Sequence, residues 1–188
     1  MNKKYLLLAI FILPILLFST IITVGPIGCD ATVIQNAIDL SASGDTIMVY
    51  PASGGGVYYE ELLISAKGLT LLSATGTNVI IDGSGDNTIL IRYTHSYVTI
   101  DGFTIRNTGN TAFDCIQVLS GYSPKLTVQN CIFDEGTVFI DVDQASRVYL
   151  YDNEFGESNG SSSHFVDITN SICENIISGN TFHNTTSK

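Results

Sequence analysis

The chain has 188 residues, 45% of them hydrophobic and only 14% charged, with a formal net charge of −10. That length suits one domain behind a leader. So acidic a balance argues against nucleic acid as a partner, and so few charges argue against long solvated helices.

Residues 1–28 read as a signal peptide or membrane anchor. Lys3 and Lys4 form a positive start, and an almost wholly apolar run follows, broken by Pro14. This is the pattern of a secretory signal. Because apolar character continues to Val24, a retained anchor is the competing reading. A third is a lipidated Cys29, since Gly28 precedes it as a small residue does in a lipobox, although Pro26 stands where Leu is expected. All three place the protein outside the cell or on its surface, with any membrane contact made through this segment. Six basic and all eighteen acidic residues lie beyond it, a balance of −12.

Residues 29–45 read as an N-terminal cap. A helix is expected over 31–42, with Val33, Ile34, Ala37 and Ile38 on one face. Thr32 and Gln35 stand in the capping-box relation, and Gly44 is placed to stop the helix.

From residue 46 to 188 the pattern changes to short strands rich in Ile, Val and Tyr, separated by Gly, Asn and Asp. Expected strands cover 46–50, 58–64, 69–72, 78–81 and 88–93. Four related phrases then recur: Ile100-Asp-Gly-Phe-Thr-Ile105, Val128-Gln-Asn-Cys-Ile-Phe133, Leu150-Tyr-Asp-Asn-Glu-Phe155 and Ile177-Ser-Gly-Asn-Thr-Phe182. Their starts lie 28, 22 and 27 residues apart, a loose period within the range of solenoids. Each phrase reads as strand, corner, strand. One such coil cannot bury its own apolar face, so it stacks on the next. Further strands precede the last three phrases, at 115–119, 139–143 and 165–169. Alternation turns Ile116, Val118, Ile140, Val142, Val166 and Ile168 inward, and Gln117, Asp141 and Asp167 outward in a file about 4.8 Å apart. Asn153 and Asn180 align beside a corner, with Cys131 in the same position as a small buried filler. The C-terminal end carries no second cap in the sequence. Either the last residues fold over it, another chain or a second copy covers it, or more coils follow.

The segments Thr32-Val-Ile-Gln-Asn-Ala-Ile-Asp-Leu40, Gly44-Asp-Thr-Ile-Met-Val-Tyr-Pro51 and Val98-Thr-Ile-Asp-Gly-Phe-Thr-Ile-Arg-Asn107 resemble right-handed parallel β-helix proteins. The group is the pectin-lyase-like superfamily, which includes pectin methylesterases and NosD-like carbohydrate-binding and sugar-hydrolase repeat proteins. The resemblance spans roughly residues 31–183. It implies an all-β, right-handed parallel solenoid capped by a short helix. It says little about activity, since one fold hosts many.

The resemblance extends to chemistry at one place. Pectin methylesterases set Gln and two Asp on neighbouring coils, as Gln117, Asp141 and Asp167 stand here. Stacked carboxylates can divide into a protonated acid and an ionised base or nucleophile. The family's Gln-Asp-Thr-Leu and Gly-Arg-Pro-Trp motifs do not occur, there is no Trp, and Arg147 is the nearest candidate cation. Strand alternation alone would also turn these polar residues outward. No cofactor is expected for the module itself, although Asp141, Asp143 and Asp167 would suit calcium were a cation bound. His95, His164 and His183 have no metal-ligand spacing. The even number of cysteines, at 29, 115, 131 and 173, is compatible with disulfides in an exported chain. Tyr93, Tyr97 and Tyr122 lie at corners, where a ring could stack on a sugar.

The expected function is an exported or cell-surface β-helix module with a structural, adhesive or polysaccharide-binding role and no catalysis. Its partner would be a polysaccharide or cell-envelope component. The alternative is a carbohydrate-active enzyme, esterase- or lyase-like, working on acidic polysaccharide through the Gln117, Asp141 and Asp167 file.

Overall fold

The computed structural model describes residues 19–75, 78–84, 87–92, 96–108, 114–119, 124–135, 138–145, 147–156, 165–171 and 173–183. The apolar leader up to residue 18, and Tyr93, His95, Tyr122 and His164, lie outside them. In chain order the first elements are β1 (Ile21–Val24) and α1 (Ile34–Leu40). The first two coils are β2 (Thr46–Val49), β3 (Val57–Tyr59) and β4 (Leu62–Ser65), then β5 (Leu69–Ser73), β6 (Ile80–Asp82) and β7 (Ile89–Arg92). The next two are β8 (Tyr97–Asp101), β9 (Thr104–Arg106) and β10 (Ile116–Val118), then β11 (Lys125–Gln129), β12 (Ile132–Asp134) and β13 (Ile140–Asp143). The fifth is β14 (Arg147–Tyr151), β15 (Glu154–Phe155) and β16 (Val166–Thr169), and β17 (Ile176–Ser178) and β18 (Thr181–Phe182) begin another.

Every strand pairs in parallel with its counterpart one coil away, which makes a solenoid of about five turns with three faces. Face A runs β1-β2-β5-β8-β11-β14-β17, face B runs β3-β6-β9-β12-β15-β18, and face C runs β4-β7-β10-β13-β16. The expected parallel stacking is thus present: Ile100, Val128, Leu150 and Ile177 occupy one row across β8, β11, β14 and β17.

The corner between faces A and B explains the four phrases. Its third residue is Gly102, Asn130, Asp152 or Gly179, each at positive φ, between 53° and 83°. Gly, Asn and Asp enter that left-handed region at least cost. One such residue suffices to turn the chain from one face to the next. The fourth residue then points inside. Asn153 Nδ2 donates to Val128 O at 2.9 Å, and its Oδ1 accepts from Cys131 N at 3.0 Å. Asn180 repeats the arrangement one coil on, accepting from Asn153 N at 2.9 Å and donating to Leu150 O at 2.9 Å. Cys131, fully buried, occupies the same position, with its thiol directed at Gln129 O. The sixth residues stack as rings. Phe133 and Phe155 have centroids 4.9 Å apart and Phe155 and Phe182 4.8 Å, with the ring planes nearly parallel in both pairs.

The start of the solenoid differs from the sequence expectation in instructive ways. Ile21–Val24, which hydropathy joins to the leader, forms β1 and pairs with β2 in register. A β-branched strand at the edge of a core and the tail of a leader have the same hydropathy. The helix is shorter than expected, Ile34–Leu40, and Thr32 with Gln35 forms no capping box: the N-cap is Val33, with no side-chain cap bond. Glu60, one coil away, supplies the cap, as Ile34 N and Gln35 N donate to its two carboxylate oxygens at 3.0 and 2.9 Å. Lys67 Nζ closes the other end by donating to Ile38 O at 2.8 Å and Ser41 O at 2.7 Å. Both charges have the sign that the helix dipole favours. The Gln35 amide is drawn elsewhere: it accepts from Leu63 N at 2.8 Å and donates to Leu63 O at 3.3 Å. It thereby does for β4, the edge of face C, what a neighbouring strand would do. The expected single strand over 58–64 is split into β3 and β4 by a corner at Glu60 and Glu61, which frees Glu60 for its capping role.

The opposite end is open among the described residues. Leu150 and Phe155 are fully buried, whereas their counterparts one coil on, Ile177 and Phe182, are 51% and 47% exposed.

These contacts set a graded expectation for stability. Asn153→Ala leaves Cys131 N buried without a partner and removes the side-chain donor to Val128 O, and should cost about 1–3 kcal/mol. Phe155→Ala, at the centre of the ring stack, should cost about 3–5 kcal/mol. Asn180→Ala, in the half-exposed last coil, should cost less than half as much as Asn153→Ala. Urea denaturation followed by circular dichroism measures all three, and equal losses at Asn153 and Asn180 would contradict the ladder.

Candidate functional site

Face C carries the polar constellation. Gln117 in β10 pairs in register with Asp141 in β13, and Asp141 with Asp167 in β16. On the other side Gln117 is opposite Leu90 in β7, which is opposite Leu63 in β4. The outward file therefore reads Leu63, Leu90, Gln117, Asp141, Asp167, apolar at the capped end and acidic at the other. Exposure rises along the acidic part: Gln117 and Asp141 are half-buried and Asp167 is exposed.

Two further residues complete it. Asn87 and Asp114 each sit two positions ahead of a face C strand, one coil apart. Asp114 N donates to Asn87 Oδ1 at 2.9 Å, and Asn87 Nδ2 donates to Gln117 Oε1 at 3.0 Å. Gln117 Nε2 reaches two carboxylates, Asp114 Oδ2 and Asp141 Oδ2, both at 3.3 Å. One amide thus joins two acids and an asparagine across three coils. A shallow cavity of about 200 Å³ adjoins this network at the apolar end, lined by Glu61, Leu62, Leu63, Asn87 and Leu90.

Burial pushes the Asp114 carboxyl up to about 6, with the charges of Asp141 and Asp167 adding to the shift. Burial also raises Asp141, and Asp167 and Asp143 push the same way against the Gln117 hydrogen bond. Asp114 therefore holds its proton to a higher pH than an ordinary carboxyl, and Asp141 shifts in the same direction. Asp114 escapes the sequence reading because it precedes its strand and strand alternation does not reach it. The usable signal is the equivalent place of Asn87 one coil earlier.

Arg147, the nearest cation in sequence, belongs to face A and turns its Nη1 to the Tyr149 hydroxyl at 3.3 Å. Asp143 accepts from Asn170 Nδ2 at 2.9 Å and Thr169 Oγ1 at 3.3 Å and Asp141 from Gln117, so two members of the calcium trio Asp141, Asp143 and Asp167 already have side-chain partners. Among the described residues no group of three or more His, Cys, Asp or Glu is arranged to hold a metal ion. Tyr97 lies on face A and is exposed, apart from the face C file, and Tyr93 and Tyr122 fall outside the described residues. His183 pairs with Glu154 at 2.8 Å on the surface of the last coil. All four cysteines are free, and Cys115 and Cys131 are buried with thiols that burial pushes well up.

The face C acids predict a pH signature. Asp114 is raised above its unfolded value, so the folded chain holds a proton that the unfolded chain has lost. Stability should fall as pH rises from about 4 to about 6.5 and then level off. Asp45 behaves oppositely: Thr20 N and Ala42 N hold its carboxyl below the usual range, so its contribution disappears only at lower pH. Asp114→Asn should raise the melting temperature at pH 7 and flatten the slope between pH 4 and 6.5, as read by thermal denaturation across pH. An unchanged slope would contradict the raised Asp114 carboxyl.

Comparison with protein-family models, with curated proteins and with solved structures finds no match.

Proposed function

We propose that this chain is an exported, surface-held solenoid of the right-handed, pectin-lyase-like type, and that it binds polysaccharide on face C without transforming it. The observation that carries this reading is the Asn87, Asp114, Gln117 and Asp141 network, which displays amide and carboxyl groups on successive coils beside an apolar shelf of Leu63 and Leu90. A sugar chain offers hydroxyls at regular intervals and C–H faces between them. Side-chain amides and carboxylates accept and donate to such hydroxyls, and aliphatic side chains cover the C–H faces. The coil spacing of about 4.8 Å supplies the periodicity. Export is supported by Lys3, Lys4 and the apolar run behind them. The acidic face favours a neutral glycan, because polyuronate would be repelled.

One observation favours catalysis as a second reading. Asp114, raised to about 6 beside Asp141, could serve as general acid while Asp141 acts as base. This would suit ester cleavage or elimination on a polysaccharide. Against it, the charges that act on both acids are themselves carboxylates, which do not stabilise developing negative charge.

A glycan array followed by calorimetry on the best neutral ligand separates the two. Gln117→Ala should weaken binding by about tenfold or more, since it removes the amide that joins the network, with no product released from the glycan. Product release that follows an apparent pKa near 6 and disappears in Asp141→Ala would establish the enzyme instead. No binding to any neutral glycan would refute the face C site.

A further inference from the structure

Face A contains a second construction that the face C reading leaves unused. In register along it run Tyr97, Lys125 and Arg147, one per coil. The adjoining outward row is Thr46, Thr70, Thr99, Thr127 and Tyr149. Towards the capped end the first row continues as Gly68 and Gly44, which lie on adjacent coils, with Gly44 N donating to Gly68 O at 2.8 Å. A side chain at Gly68 would collide with Ser96 and the Tyr97 backbone, so tight coil contact keeps this place bare. The result is an open trough of about 480 Å³, lined by Ser43, Gly44, Gly68, Thr70, Ser96 and Tyr97 among others. Hydroxyls line its floor and sides, and Tyr97 stands at the end where the cations begin.

Those cations are distinctive in so acidic a chain. Arg106 is paired with the buried Asp82 at 3.0 Å, and Lys67 closes the helix. Lys125 and Arg147 sit side by side, and among the described residues neither makes an ion pair with a carboxylate. Phenols and a thiol hold them instead. Lys125 Nζ donates to the Tyr97 hydroxyl at 2.7 Å and lies 4.3 Å from the ring centroid, while Arg147 donates to the Tyr149 hydroxyl and to the Cys173 sulfur. Two like charges one coil apart repel, and a neutral partner does nothing to relieve that. An anion placed between them does.

We propose that this trough on face A binds an acidic oligosaccharide, with its sugar rings along the threonine row and against Tyr97 and one carboxylate on Lys125 and Arg147. The hydroxyl lining and the Tyr97 ring favour a carboxylated sugar over a polyphosphate, which has no sugar ring to lay against them. From Gly44 to Arg147 the row crosses five strands, roughly 20 Å at about 4.8 Å per step, enough for several sugar units. The site is separate from face C and does not rest on it: there acids meet a neutral glycan, and here cations select a charged one.

The test is calorimetric titration of the full chain with an oligomannuronate, alongside the same oligomer with its carboxyl groups reduced to alcohols. Binding of the uronate is expected, weaker with added salt and at least about tenfold weaker for the reduced oligomer. The double variant Lys125→Gln/Arg147→Gln should lose about tenfold or more for the uronate and nothing for the reduced oligomer. If the double variant fails to fold, Arg147→Gln alone decides, since its side chain is exposed. No uronate binding, equal affinity for the two oligomers, or unaltered uronate affinity in a folded variant would each overturn the proposal. Neutral-glycan binding that depends on Gln117 would survive any of these results, so the two sites fail independently.

Discussion

The structure depends on a one-residue turn. Gly102, Asn130, Asp152 and Gly179 each carry the chain from face A to face B in a single left-handed step. Because the turn has the same length in these four coils, the residues after it fall into register, and Cys131, Asn153 and Asn180 meet above one another. An extra residue there would shift every following side chain to the opposite side of its strand. The phenylalanine stack would then face water and the asparagine ladder would lose its partners. The wide variation in period, 22 to 28 residues, is absorbed at other corners, where loop length does not set the register of the ladder.

In-register stacking also constrains the outside of the molecule. Any polar residue kept at one coil position becomes a column, and like charges in a column repel. Face C answers this with protons and an amide: Gln117 stands between Asp114 and Asp141, and Asp114 holds its proton up to about pH 6. Face A answers with phenols that accept from Lys125 and Arg147 without neutralising them. At the corner between faces B and C, Asp82 is fully buried and is satisfied by Arg106, Ser84 N and Thr108. That last cluster is complete in itself, which is the mark of a structural role. The first two leave hydrogen-bonding capacity and charge directed at solvent.

Much of this was legible in the sequence, and for identifiable reasons. The repeat, the inward aliphatic rows and the Gln117, Asp141 and Asp167 file follow from period-2 alternation combined with a recurring phrase. The asparagine ladder follows from Asn153 and Asn180 holding equivalent positions. Contacts between coils that lack a shared phrase were not legible. Nothing near Glu60 in the sequence shows that it caps a helix 25 residues earlier, and local propensity favoured Thr32 in that role. Asp114 was hidden because its importance comes from the neighbouring coils. The face A file was hidden because Tyr97, Lys125 and Arg147 share no residue type, and only the register brings them together.

The two ends of the described stack treat their edges differently. A strand at the edge of a sheet offers unpaired backbone groups and bare core side chains at the same time. At the start both are dealt with: Ile34, Ala37 and Ile38 cover the core, while the Gln35 amide pairs with Leu63 as a strand would. Glu60 and Lys67 hold the cap from the coil that it protects, so cap and first coils stabilise each other. At the other end, among the described residues, β16, β17 and β18 have a neighbour on one side only, and Ile177 and Phe182 show half their surface. Those side chains continue the rows of Leu150 and Phe155.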